Sequence, residues 1–162
     1  MVDFTLSDNY CTYVMAADIH FFKEDIHYRL LHREPIISWI AATIRKEGFK
    51  PGAINIILCS DNYLRRMNKE YLQHDYNTDI ITFDLSEDPA IISGDLFISL
   101  ERVSANAEAY TTSTVHELHR VVIHGILHLC GYSDKSSGKQ KEMRTREDYY
   151  LERRNWVAKS TR

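Results

Sequence analysis

The sequence predicts an α+β fold: one domain in which a small mixed sheet is covered by helices. Three observations carry that expectation. Patterned segments run strand, helix, strand, helix, then two strands, then three helices, an order that suits a mixed sheet with helices packed on it. The stretch from Val121 to Leu129 is apolar almost all round, through Val121, Val122, Ile123, Ile126, Leu127 and Leu129, so that helix belongs in the interior. A chain of 162 residues with 44% hydrophobic content is long enough to build one core.

Residues 1–14 show little periodicity and read as an N-terminal extension, expected to be disordered, ahead of a domain over 15–162; Met15 is a candidate native start. Ile19 to Ile26 reads as the first strand. Pro35 to Glu47 reads as an amphipathic helix with Ile36, Ile37, Ile40, Ala41 and Ile44 on one side, closed by Gly48. Ala53 to Cys59 is a strongly apolar second strand, and Ser60 or Asp61 can cap a helix from Asn62 to Leu72. Ile80 to Leu85 and Asp95 to Leu100 read as two more strands around a loop containing Pro89. Glu101 to Tyr110 is a short helix. Thr114 caps the apolar helix, with Glu117 completing a capping box; Ser137 and Gln140 make another for a last helix from Gly138 to Trp156.

The apolar helix holds the motif that carries chemistry. His124 and His128 stand one turn apart and so share a helix face. Gly131 permits the left-handed turn that ends a helix, after which Asp134 can return beneath the same face. Two imidazoles and a carboxylate leave one tetrahedral position open, as in catalytic rather than structural zinc sites. The ordinary reading of the histidines is satisfaction by carbonyls or water, and of Asp134 a helix cap, but Ser137 fills that capping role better. The spacing overlaps the metzincin pattern, yet Gly125 stands where a metalloprotease needs its glutamate, which argues against peptide hydrolysis by that route.

The stretch His124-Gly-Ile-Leu-His-Leu-Cys-Gly-Tyr132 resembles the signature of the YbeY family of metal-dependent rRNA maturation endoribonucleases. Met67-Asn-Lys-Glu-Tyr71 leading to Asp75, then Thr78-Asp-Ile-Ile-Thr-Phe83, is similar to a second block of that family, and Gly94-Asp-Leu-Phe-Ile-Ser99 to a third, all in family order. The resemblance implies a four-stranded sheet with the metal helix packed against it. It also implies a zinc-dependent, single-strand-specific endoribonuclease acting in rRNA maturation, at the 3′ end of 16S rRNA, and in ribosome quality control. Its implied partners are single-stranded RNA, the small ribosomal subunit and assembly proteins. The chain departs from the family pattern twice: Asp134 occupies the place of the third histidine ligand, and Leu72 that of an arginine implicated in activity. The first leaves an acceptable zinc ligand; the second removes a phosphate contact.

Net charge is −3, which does not advertise nucleic-acid binding, but residues 135–162 hold nine Lys or Arg against four acids, a balance of +5 that leaves −8 on the rest. That basic end reads either as a phosphate-tracking face or as a solvated helix. Cys11, Cys59 and Cys130 lack metal or redox spacing and favour a cytoplasmic location. Cys130 reads as a small core residue. No apolar run is long enough for a membrane span, and no secretory signal is evident.

The expected site therefore comprises His124, His128 and Asp134 as ligands of one Zn²⁺ per chain, or of another divalent ion such as Ni²⁺, since two histidines and a carboxylate suit several metals. Such an ion lowers the pKa of its water toward about 7. Arg120, on a stripe with His116, His124 and His128, is a candidate phosphate clamp, or else an ion-pair partner of Glu117. Asp79 is a candidate catalytic residue whose ordinary role, with Thr78, is a turn before a strand. Asp79, Glu117 and Asp134 are the candidate proton carriers, and His119 is expected on the surface. A metal hydrolase with another substrate and a non-catalytic ribosome-assembly factor are the alternatives.

Overall fold

Four strands form one mixed sheet in a computed structural model that describes residues 17–72 and 78–157. The elements are β1 (Ile19–Lys23), α1 (Arg33–Lys46), β2 (Lys50–Cys59), α2 (Asp61–Leu72), β3 (Ile80–Asp84), β4 (Ile91–Ser99), α3 (Leu100–Ala109), α4 (Thr114–Leu129) and α5 (Ser137–Leu151). The sheet order is β1-β2-β4-β3, with β1, β2 and β4 parallel and β3 antiparallel to β4. This is the predicted α+β arrangement, in the predicted element order. The extension over 1–14 lies outside the described residues. Among those described, no helix is long and apolar enough to cross a membrane.

Alternation along the strands divides the sheet's two faces. Ile54, Ile56 and Leu58 of β2 and Ile92, Leu96 and Ile98 of β4 face a core shared with α1, α3, α4 and α5. Cys59, Ile81, Phe83 and Phe97 face the other way and meet Leu64 and Met67 of α2. The buried pattern of β4 begins at Ile92, so the strand starts four residues before Asp95, and Lys50 and Pro51 of β2 pair with its early end. β1 ends at Lys23, short of Ile26.

Helix ends follow local chemistry. Beyond α1, Gly48 at φ 93° donates to Arg45 O and Phe49 to Ile44 O, the paired bonds of a glycine-terminated helix. Ser60 Oγ accepts from the Tyr63 amide and starts α2. Two caps lie one residue earlier than the sequence suggested. Ser113, not Thr114, accepts from the His116 amide, and Ser136, not Ser137, accepts from the Lys139 amide. In each pair of neighbouring hydroxyls the first is the extended residue, with ψ of 148° and 159°. α5 stops at Leu151 rather than Trp156, because the Arg154 side chain turns back to donate to the Leu151 carbonyl.

Candidate metal centre

α4 sits deep in the molecule: ten of its sixteen residues are buried. It approaches the sheet closely at Gly125, where a Cβ would lie 2.6 Å from both Ile80 Cδ1 and Leu96 Cδ2. The residue after His124 therefore points at the sheet, and no side chain there could act on the metal face. At the other end, Gly131 at φ 97° donates to His128 O and Tyr132 to Leu127 O, which terminates α4 and turns the chain. The turn carries Asp134 back beneath the histidines.

The three expected ligands converge. His124 Nε2 and His128 Nε2 are 2.9 Å apart, and Asp134 Oδ2 is 3.8 Å from each. One donor atom from each residue lies within 4.8 Å of the others. The opposite ring nitrogens fix the protons. His128 Nδ1 faces the Tyr132 carbonyl at 3.0 Å; a carbonyl only accepts, so this nitrogen donates. His124 Nδ1 donates to Glu147 Oε1 at 2.7 Å. With those protons on Nδ1, the two Nε2 atoms stand at hydrogen-bond distance, and a cation held between them, a proton or a metal ion, relieves the opposition of their lone pairs. Tetrahedral zinc with nitrogen ligands at about 2.0–2.1 Å sets them about 3.4 Å apart, within half an ångström of the spacings found here. Burial, and then the neighbouring His124, depress the His128 pKa and keep that imidazole in its ligating form.

Behind the histidines is a buried charge network. Arg120 donates through Nε and Nη2 to the Glu117 carboxylate at 2.9 and 2.6 Å. It also lies 3.4 Å from Glu147 Oε2 and 3.5 Å from Asp79 Oδ2. Burial alone would weaken the Arg120 cation, but Glu117, then Glu147 and Asp79, raise it above the usual guanidinium range. Burial likewise acts to raise the Glu147 pKa, yet its bond to His124 and the charges of Arg120 and Arg144 hold it below the ordinary carboxylate value. Glu147 thus stays ionised behind His124 and orients the ring.

The ligands open onto a groove of about 430 Å³ between β3 and α4, lined also by Asn68, Thr78, Asp79, Thr82 and Asp84. Asp79 sits on its wall and accepts from Asn106 Nδ2 at 3.3 Å. Thr78 Oγ1 donates to the Ile80 carbonyl, the turn bond expected of it. Cys130 lines a different cavity with Glu47, Phe49 and Tyr132, and burial and Glu47 push its thiol up to about 12.

Two sequence expectations are corrected. His119 is not on the surface: it is 2% exposed, packed between Trp39 and Trp156, and accepts from Arg154 Nη1 at 2.6 Å. Glu117 is not a capping-box residue but a buried partner of Arg120. Glu147 went unnoticed, although a signal existed. Met143, Glu147, Tyr150 and Leu151 fall at i, i+4, i+7 and i+8, so one carboxylate interrupts the buried stripe of α5.

A mixed four-stranded sheet with two imidazoles delivered by a buried helix and a carboxylate returned past its end defines a class of single-ion centres with an open side. The profile of that class matching this chain is "Endoribonuclease YbeY", over residues 19–155. The endoribonuclease YbeY of Cytophaga hutchinsonii is 47% identical over 138 residues, covering 85% of this chain and 96% of its own length. That of Parabacteroides distasonis is 48% identical over 133 residues, 82% and 93% of the two chains. The solution structure of TM1509 from Thermotoga maritima superposes with a TM-score of 0.61 at 27% identity, covering 89% of this chain and 99% of that one. The chain belongs to the endoribonuclease YbeY family.

Proposed function

We propose that this protein is a zinc-dependent endoribonuclease that cuts single-stranded RNA, acting in 16S rRNA 3′-end maturation and ribosome quality control with the small ribosomal subunit as its setting. The observation that carries the reading is the convergence of His124 Nε2, His128 Nε2 and the Asp134 carboxylate within 4.8 Å of one another beside an open groove. His124, His128 and Asp134 would hold the ion. Once held, it supplies Lewis acidity toward a phosphoryl oxygen and a water acidic enough to serve as nucleophile near neutral pH.

The protein's own groups supply the rest. Glu147 fixes the His124 ring through Nδ1, and the Tyr132 carbonyl does the same for His128. Asp79, on the groove wall, is the group we assign to moving the proton. Arg120 has Nε and Nη2 committed to Glu117 and lies 3.5 Å from Asp79, so we assign it to holding that carboxylate in place. The proposal is tested by incubating a labelled single-stranded RNA carrying the rRNA 3′-end sequence with wild type, His124→Ala and Asp79→Asn. Cleavage by wild type with loss in both variants is expected; equal cleavage by His124→Ala rejects the site. Leu72, at the position of the family arginine, favours a second reading as a non-catalytic assembly factor. Under that reading His124→Ala removes metal but leaves rRNA processing in cells intact.

A further inference from the structure

A second cavity, of about 470 Å³, lies between α1 and the C-terminal end of α5 and shares no lining residue with the metal groove. Its walls are aromatic: Trp39, Tyr149, Tyr150 and Trp156. Trp39 and Trp156 meet edge to face at 5.9 Å, and the Arg153 guanidinium is stacked 3.3 Å above the Tyr149 ring. Lys46 adds a second cation, and among the described residues the lining contains no aspartate or glutamate.

The metal groove has the opposite character. Asp79, Asp84 and Asp134 line it, and Arg120 behind Asp79 is already committed to carboxylates. A divalent ion held there would engage the phosphate at the cleavage point, but the remaining carboxylates give the rest of a strand no cationic track, so RNA gains from cationic and stacking contacts elsewhere. The cavity at the end of α5 offers aromatic side chains, with Trp156 and Tyr149 the less buried of them, to lie beside a base, and the cations Lys46 and Arg153 for a phosphate. Its volume suits a nucleoside monophosphate.

We infer that this cavity is a nucleotide-binding subsite that anchors one nucleotide of a single-stranded RNA outside the metal groove. The assignment to RNA, rather than to a free nucleotide, rests on the cleavage reading above.

Both tryptophans of the chain flank the cavity, so intrinsic fluorescence reports its occupancy directly. Wild type, Lys46→Ala, Arg153→Ala, the double variant and His124→Ala are titrated with a short single-stranded oligoribonucleotide and with adenosine 5′-monophosphate. Saturable quenching by both is expected, tighter for the oligonucleotide. The double variant should weaken oligonucleotide binding roughly tenfold and reduce the slope of log K against log salt by about 0.7 for each lost contact. His124→Ala should bind adenosine 5′-monophosphate like wild type whatever becomes of RNA cleavage, so failure of the cleavage reading and failure of this one are separable. Absence of quenching at millimolar ligand, or affinities unmoved in the double variant, overturns the subsite. Quenching by the mononucleotide alone overturns its assignment to RNA.

Discussion

Replacing Glu147 by glutamine isolates what the carboxylate behind His124 contributes to the metal. Glu147 is 2% exposed and accepts from His124 Nδ1 at 2.7 Å. A hydrogen bond to an ionised group contributes about 1.5–3 kcal/mol. Carboxylates that orient a ligating imidazole typically account for about 10- to 100-fold in metal affinity, or about 1.4–2.7 kcal/mol. The amide keeps an oxygen that can accept the same bond, so the loss reports the missing charge. Arg120 retains Glu117 at 2.6 and 2.9 Å and Asp79 at 3.5 Å, so the buried cation remains paired and the fold should persist. The assay is competition for Zn²⁺ between metal-free protein and a chromophoric chelator, beside thermal melts of both metal-free proteins. Glu147→Gln should bind zinc at least tenfold more weakly. Affinity within twofold of wild type, with both proteins folded, would refute the idea that this charge tunes the site.

Other perturbations test the scaffold. Gly125→Ala gains about 1 kcal/mol of helix propensity but meets Ile80 and Leu96 at 2.6 Å, and overpacking costs about 1–3 kcal/mol, so the melting temperature should fall by a few degrees; a rise contradicts the close approach of α4 to the sheet. Thr111 ends α3 at φ 54°, a left-handed conformation that disfavours a β-branched residue, so Thr111→Gly should stabilise by about 0.5–1 kcal/mol in urea denaturation, and a loss of stability speaks against strain there. Burial, then Arg154, His116 and His32, lower the His119 pKa from 6.5 to about 3. Between those values the unfolded chain binds a proton that the native protein does not, so stability falls as the pH falls, by up to about 1.4 kcal/mol per unit. The stability difference between wild type and His119→Gln should therefore shrink as the pH drops from 6.5 to 5, and a constant difference would refute a buried neutral imidazole.

The metal trio was legible because its logic is local. Helical spacing aligns His124 with His128, and Gly131 turns the chain within three residues of Asp134. Strand and helix identities were legible for the same reason, from alternation in β2 and from the apolar circumference of α4. What stayed hidden depends on partners distant in sequence. His119 reads as polar surface beside His116 and Arg120 until Arg154, 35 residues on, folds over it. Glu147 reads as one charge in a charged helix until α5 docks and places it 2.7 Å from His124, 23 residues back. The early start of β4 is set by pairing with Lys50 and Pro51 of another strand. The two caps that lie one residue early have neighbouring hydroxyls, Ser113 beside Thr114 and Ser136 beside Ser137, and which of the two is extended is set by the backbone rather than by residue type.

The most direct test is elemental analysis of freshly purified protein, comparing wild type with His124→Ala and Asp134→Ala. The account predicts close to one equivalent of zinc per wild-type chain and little in either variant. A wild type without divalent metal, or variants that retain a full equivalent, would contradict it.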